Sequence, residues 1–216
     1  MDLTTAVSAP SEAPSEAPSE APSEAPSDAA SSASSGAPLK VAVILGSNRE
    51  GRFGPVVASW FLGRAAGHPD IETELIDVAE TEPPATGAAL VAPRLARADA
   101  FVVLTPEYNH SYPAPLKNLI DRHFAEWQAK PVAFVSYGGI SGGLRAVEHL
   151  RQVFAELHAV SIRDTVSFHN AGALFDDLGV PKDPAQVDGA AKKMLDQLVW
   201  WGRALREART RHPYGG

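Results

Sequence analysis

The chain has 216 residues, with 26 acidic and 19 basic side chains and no cysteine. The absence of cysteine excludes a disulfide framework, a thiolate nucleophile and any cysteine metal site. The net charge of −7 does not announce a basic partner: six acids (Asp2, Glu12, Glu16, Glu20, Glu24, Asp28) precede Lys40, leaving 20 acids against 19 bases over residues 38–216.

Residues 11–26 repeat Ser-Glu-Ala-Pro four times, and a fifth copy decays into an Ala/Ser/Gly stretch. Proline at every fourth position prevents a helix, and the segment has no apolar face to bury. Residues 1–37 are therefore expected to be a disordered tail, and 38–216 one domain large enough for a substantial core. The start carries neither a basic n-region nor an apolar h-region, and no apolar run approaches the ~18 residues of a membrane span. The expectation is a soluble, cytoplasmic protein.

From Lys40 the pattern alternates. Lys40–Leu45 is a short, β-branched apolar run, as in a central parallel strand, and Pro55 stands where a first helical residue would, with Val56, Val57, Trp60, Phe61 and Arg64 at helical spacing. Residues 71–77 alternate as an outer strand, 88–98 form a helix, and 100–104 a second central strand. Residues 116–124 are helical, 131–136 are a third apolar strand, and from Leu144 the apolar positions 144, 147, 150, 154 and 157 mark an amphipathic helix. Val160–Phe168 is the fifth strand, and 184–209 a long helix with apolar residues at 187, 191, 194, 198, 201 and 205. Parallel strands need crossover helices, so this alternation demands a five-stranded parallel α/β sheet with helices on both faces. It fits the flavodoxin-like order 2-1-3-4-5.

In such sheets ligands bind beyond the carboxyl ends of the strands where the order reverses, here after strands 1, 3 and 4. Those loops are the most unusual segments of the chain: GSNREGRFG (46–54), TPEYNHSYPAP (105–115) and SYGGISGG (136–143). The first suits a phosphate, with close-approaching glycines, the Ser47 hydroxyl, Arg49 or Arg52, and a helix start at Pro55. It is neither a nucleotide-triphosphate loop nor G-x-G-x-x-G, and on its own it could be a tight turn with solvated arginines. The second could line a flat polar ring with Tyr108 as a wall, or be a simple Pro-Asn turn. The third has four glycines in seven residues, which permits close approach to a ligand or merely two successive turns.

Taken together, Gly46-Ser47-Asn48-Arg49 (G-S-x-R), Pro106-Glu107-Tyr108-Asn109 (P-E-Y-N), Leu116 to Asp121 (L-K-N-x-I-D) and Tyr137 to Gly143 (Y-G-G-x-x-G-G) resemble, in matching order over about 39–170, the NADPH-dependent FMN reductase family. That family of flavodoxin-like flavoproteins includes quinone, azo and chromate reductases. The resemblance implies that Ser47, Arg49, Phe53, Gly54 and Pro55 hold the FMN phosphate. Many relatives have a Ser and an Asn where this chain has Phe53-Gly54-Pro55, so contacts there would be through the backbone. Pro106, Glu107, Tyr108 and Asn109 would contact the isoalloxazine and ribityl chain, and Tyr137, Gly138, Gly139 and Ser141 would close over the ring from the other side. NADPH or NADH would be co-substrate, a small molecule the acceptor, and the assembly a homodimer or tetramer. The redox chemistry would belong to the flavin, with no obligatory catalytic side chain.

Other classes have less to recommend them. Seven histidines include no H-x-x-x-H or H-E-x-x-H pair, and His149 and His158 lie nine apart on one expected helix, so no metal site is expected. Ser141 lacks a G-x-S-x-G setting, and no basic aromatic patch points to nucleic acid. Trp200-Trp201 and the 187–205 stripe read as core, with a subunit contact as the lesser alternative. An electron-carrying flavodoxin usually shows a strongly acidic face, which the nearly neutral domain does not supply. A flavin-free interaction module would leave the glycine loops unexplained.

Overall fold

The computed structural model describes residues 36–81 and 84–215. Apart from Gly36 and Ala37, the expected repeat tail lies outside the described residues. Strands β1 (Leu39–Leu45), β2 (Ile71–Asp77), β3 (Ala100–Pro106), β4 (Pro131–Tyr137) and β5 (Val160–Phe168) form one sheet in the order β2-β1-β3-β4-β5. Every neighbouring pair is parallel. Helices α1 (Gly54–Ala66), α2 (Pro84–Arg97), α3 (Ala114–Asp121), α4 (Leu144–Glu156) and α6 (Pro184–Arg211) lie between and after the strands, with a single turn, α5 (Ala171–Leu174), following β5.

All seven residues of β3 and of β4 are buried, because a central parallel strand is covered on both faces. Alternation of side chains divides the core in two. Val41, Val43 and Leu45 of β1 face Val57, Trp60 and Phe61 of α1 and Met194, Leu195 and Leu198 of α6. Ala42 and Ile44 face the other way, toward Leu95 of α2, Leu119 and Ile120 of α3 and Leu150 and Phe154 of α4. Trp127 fills the second half, its ring packed edge-on against Phe101 and Phe154 while its indole N–H donates to the Ile120 carbonyl at 3.2 Å. The edge strand β2 is only partly buried.

Several expected boundaries move. β3 and β4 run on to Pro106 and Tyr137, with Thr105 opposite Ser136 and Pro106 opposite Tyr137, so the ladder continues beyond the apolar run. α2 begins at Pro84, not 88; proline is well suited to a first helical position. α3 spans Ala114–Asp121, two residues earlier at its start. Of the Trp200-Trp201 pair only Trp201 packs against the core, while Trp200 is 64% exposed. Consecutive helical residues point about 100° apart, so both cannot face inward. His158 is not on the helix of His149: α4 ends at Glu156 and His158 has φ 59. Among the described residues no helix is long and apolar enough to cross a membrane.

Candidate functional site

β1 delivers the chain into the 46–53 loop, where the Gly46 N–H donates to the Leu104 carbonyl of β3 at 2.9 Å. Ser47 is fully buried, and its Oγ lies 2.8 Å from the Tyr108 hydroxyl and 3.4 Å from the Arg49 N–H. The sequence left Arg52 as a phosphate ligand or a solvated charge; the structure holds it in an ion pair at the rim of the cleft. Its guanidinium donates to both Asp77 carboxylate oxygens, at 2.7 and 2.5 Å, and to the Ser47 carbonyl. Its pKa is raised, first through the hydrogen bond to Asp77. Arg52 therefore ties the loop to the end of β2. The sheet order could have signalled this, since Asp77 stands opposite Leu45 in the β1–β2 register. Arg49 remains exposed, with its guanidinium 5.8 Å from the Tyr108 ring centroid and no acidic partner among the described residues.

α1 then starts with an uncapped N-terminus: Phe53 at the cap position offers no side-chain bond and the first turn holds no acid. The Phe53 ring turns away, edge-on to Phe175 at 5.3 Å, and Pro55 has no N–H to give. Among the described residues the backbone amides of Asn48, Glu50 and Phe53 donate to no carbonyl. This end of α1 is a site of free donors and positive dipole.

The 106–112 loop is a miniature hairpin. Tyr108 and Ser111 exchange backbone hydrogen bonds of 2.8 and 3.0 Å, and Asn109 and His110 both have positive φ, 49 and 68. Two successive positive φ values are what a type I′ turn requires, and asparagine tolerates them better than most residues. Glu107 points the other way. Its carboxylate accepts from the Arg145 backbone N–H at 3.2 Å and from the Arg145 guanidinium at 2.6 Å, so a residue of β3's loop caps α4. Burial raises the Glu107 pKa, but bonds from Ser141 and Arg145 outweigh it and hold the carboxyl below the usual range. Ser141 thus acts on Glu107.

A group with a depressed folded pKa stabilises the fold above its unfolded pKa, and that contribution is lost as the pH falls through the folded value. Glu107→Gln is expected to lower the melting temperature by about 2–6 °C at pH 7, from charge-assisted bonds worth about 1–2 kcal/mol. The gap from wild type should close below about pH 4, where the unfolded carboxyl is protonated. Melts recorded from pH 7 to pH 3 check this; a gap independent of pH would deny the carboxylate its role.

The third loop is locked from beneath. The Ser136 and Ser167 hydroxyls both donate to the Gly142 carbonyl at 2.8 Å, and Gly142 and Gly143 adopt φ 61 and 85. The Gly138 and Gly139 carbonyls accept from the Ala171 and Asn170 amides at 3.0 and 2.8 Å, which draws α5 to the same edge. Tyr137 is buried, and its hydroxyl reaches back to the first loop, under Gly54. That hydroxyl has no hydrogen-bond partner among the described residues. Burial, and then the nearby Tyr108, push its pKa well above that of an ordinary phenol, so it stays a neutral donor.

The three loops enclose a cleft of about 390 Å³ lined by Arg49, Arg52, Phe53, Glu107, Tyr108, Tyr137, Gly138, Ala171 and Gly172. The sequence did not point to Ala171 and Gly172, because α5 has only four residues and no period to read. A larger hollow of about 600 Å³ lies between α1 and α6, but its charges neutralise one another through Arg64–Asp188 at 2.8 Å and Lys192–Asp196 at 2.7 Å. The fold and the cleft together define a doubly wound α/β protein with a donor-rich cleft at the switch point of its sheet.

The chain belongs to the NADPH-dependent FMN reductase family, whose model matches residues 39–173. It is 37% identical over 192 residues to a quinone reductase of Escherichia coli K12, covering 79% of this chain and 97% of that one. It is 36% identical over 120 residues to an NAD(P)H-dependent FMN reductase of Schizosaccharomyces pombe, covering 48% of this chain and 60% of that one. The match thus spans less than two thirds of the fission yeast protein, and only 28% of an NAD(P)H-dependent FMN reductase of Saccharomyces cerevisiae. In fold it is similar to a flavoenzyme NAD(P)H:(acceptor) oxidoreductase of Paracoccus denitrificans, with a TM-score of 0.63, 22% identity, and coverage of 77% and 98% of the two chains.

The residues present fit FMN. A phosphate dianion needs donors and a cation without a competing carboxylate. Ser47, the free amides before α1 and Arg49 supply them, while Arg52 and Arg145 are neutralised by Asp77 and Glu107. A planar ring needs a wall and a close backbone, which Tyr108 and the Gly138–Gly139 strip provide.

Proposed function

We propose that the domain spanning 38–216 is a cytoplasmic NAD(P)H-dependent FMN oxidoreductase that reduces a quinone, a free flavin, an azo compound or a similar small acceptor. The observation that carries this is the convergence of three loops on one cleft where, among the described residues, Arg49 is the single unneutralised cation at the edge. The names carried by its relatives in E. coli and S. pombe support the same class.

When bound, FMN would supply the redox chemistry, taking a hydride from the reduced nicotinamide and returning the electrons to the acceptor. The chain's part is to bind and orient. Ser47, Arg49 and the backbone amides of Phe53 and Gly54 hold the phosphate end, and Pro55, which has no N–H, starts the helix behind them. Pro106 and the backbone of Glu107, with Tyr108 and Asn109, form one wall. Gly138 and Gly139 form the other, and Tyr137 and Ser141 fix that wall from behind. No side chain is required to move a proton.

One cleft shared by two substrates implies that they use it in turn. Purified protein loaded with FMN should bleach on addition of NADH or NADPH and recover with a quinone. Initial rates against nicotinamide at several quinone concentrations should give parallel double-reciprocal lines. Intersecting lines would require a second nucleotide pocket, and a flavin that neither nicotinamide reduces would make the chain an electron carrier instead. The assembly we propose is a homodimer, for which Phe124, 53% exposed just beyond α3, offers an apolar contact. Light scattering that reports a fully active monomer at micromolar concentration would reject it.

A further inference from the structure

Tyr137 ends β4, is only 4% exposed, and packs its ring 6.3 Å from that of Phe53. Phenylalanine would fill the same space without desolvating a hydroxyl. Here the hydroxyl is kept although it bonds to nothing among the described residues. The chain even makes room for it: a Cβ at Gly54 would stand 2.7 Å from the Tyr137 oxygen.

Gly54 is the first residue of α1, and that 13-residue helix has no side-chain cap and no acid in its first turn. A buried O–H therefore meets an uncapped helix N-terminus. The charged and titrating groups that face it are Tyr108, Arg52 and Asp77, and Asp77 is already neutralised by Arg52 at 2.5 Å. Tyr108, which lines the same cleft as Tyr137, in turn bonds Ser47 at 2.8 Å. The hydroxyl thus belongs to the anion loop and not to the ring wall formed by Gly138 and Gly139.

We infer that the Tyr137 hydroxyl is a donor for the phosphate end of the flavin and sets a preference for FMN over riboflavin, an assignment that rests on the flavin function proposed above. A dianion gains more from a buried neutral O–H than a terminal alcohol does. Until such a ligand arrives, the buried, unpaired hydroxyl costs the fold stability.

The test is Tyr137→Phe in the full chain, freed of flavin and then titrated with FMN and with riboflavin by fluorescence quenching. FMN should bind about tenfold more weakly and riboflavin with unchanged affinity, since a charge-assisted bond is lost only in the first case. The flavin-free melting temperature should hold or rise by about 2–4 °C as the unpaired group is removed. Equal weakening of both flavins, unchanged FMN affinity, or a lower melting temperature of the flavin-free variant would each overturn the assignment. If the wild-type chain binds neither flavin, it is the proposed function itself that falls, and this assignment with it.

Discussion

Arg49→Ala is expected to weaken FMN binding by about tenfold or more and to leave the melting temperature of the flavin-free chain nearly unchanged. Arg52→Ala should show the opposite emphasis, lowering that melting temperature by about 4–8 °C through the loss of charge-assisted bonds worth about 2–3 kcal/mol. The two residues are three apart in one loop, yet their surroundings separate them. Arg49 is exposed, lies over the Tyr108 ring and faces no carboxylate among the described residues. Arg52 is 17% exposed and holds Asp77 and the Ser47 carbonyl.

Removing Arg52 leaves the half-buried Asp77 without its counter-charge, and it frees the segment that positions Ser47. Some loss of flavin affinity should follow, as a secondary effect. Asp77→Asn should reproduce much of it, and the Arg52→Ala and Asp77→Asn effects on stability should be strongly non-additive, because they remove one interaction. Titrations and melts of the three variants settle the roles. A large loss of FMN affinity in Arg52→Ala at unchanged melting temperature, with Arg49→Ala harmless, would move the anchor to Arg52.

This pair also shows where sequence stops being informative. Strand and helix identities were legible, because Val41–Leu45, Phe101–Leu104 and Val132–Val135 are uninterrupted apolar runs that only a doubly covered strand accommodates. Their order followed from the alternation with helices. The strand ends did not follow, since Thr105, Pro106 and Tyr137 are not an apolar signal, although they continue the β3–β4 ladder. Of these, Pro106 and Tyr137 line the cleft.

Motif spacing located the three loops but not the direction of each side chain. Glu107 stands inside P-E-Y-N, yet its carboxylate serves Arg145, 38 residues further along. Arg52 serves Asp77, 25 residues away. Such pairings depend on which strands are neighbours, and a local pattern does not record that. With the order β2-β1-β3-β4-β5 in hand, both could have been anticipated: Asp77 borders the β1 loop, and Glu107 borders the entrance to α4.

The other large effect expected is at Gly143. Gly143→Ala should cost about 3–5 kcal/mol and lower the melting temperature by about 6–15 °C, whereas Gly139→Ala should change stability by less than about 0.5 kcal/mol. Gly143 has φ 85, and a Cβ there would stand 2.7 Å from the Ser136 Cβ and 3.0 Å from the Tyr137 amide nitrogen. Both obstacles belong to the buried end of β4 and cannot swing aside, so left-handed strain and overpacking act together. At Gly139 a Cβ would meet nothing within 4 Å. That open space adjoins Gly138, which lines the cleft, and it is where a ligand plane would approach the strip. Gly139→Ala should therefore weaken FMN binding several-fold without touching the melt, while Gly143→Ala loses both together as Tyr137 and Gly138 shift. Parallel melts and FMN titrations of the two variants separate scaffold from contact surface. If Gly139→Ala binds FMN as tightly as the wild type, the strip is not the flavin's wall, and the ring must lie on the Tyr108 side of the cleft alone.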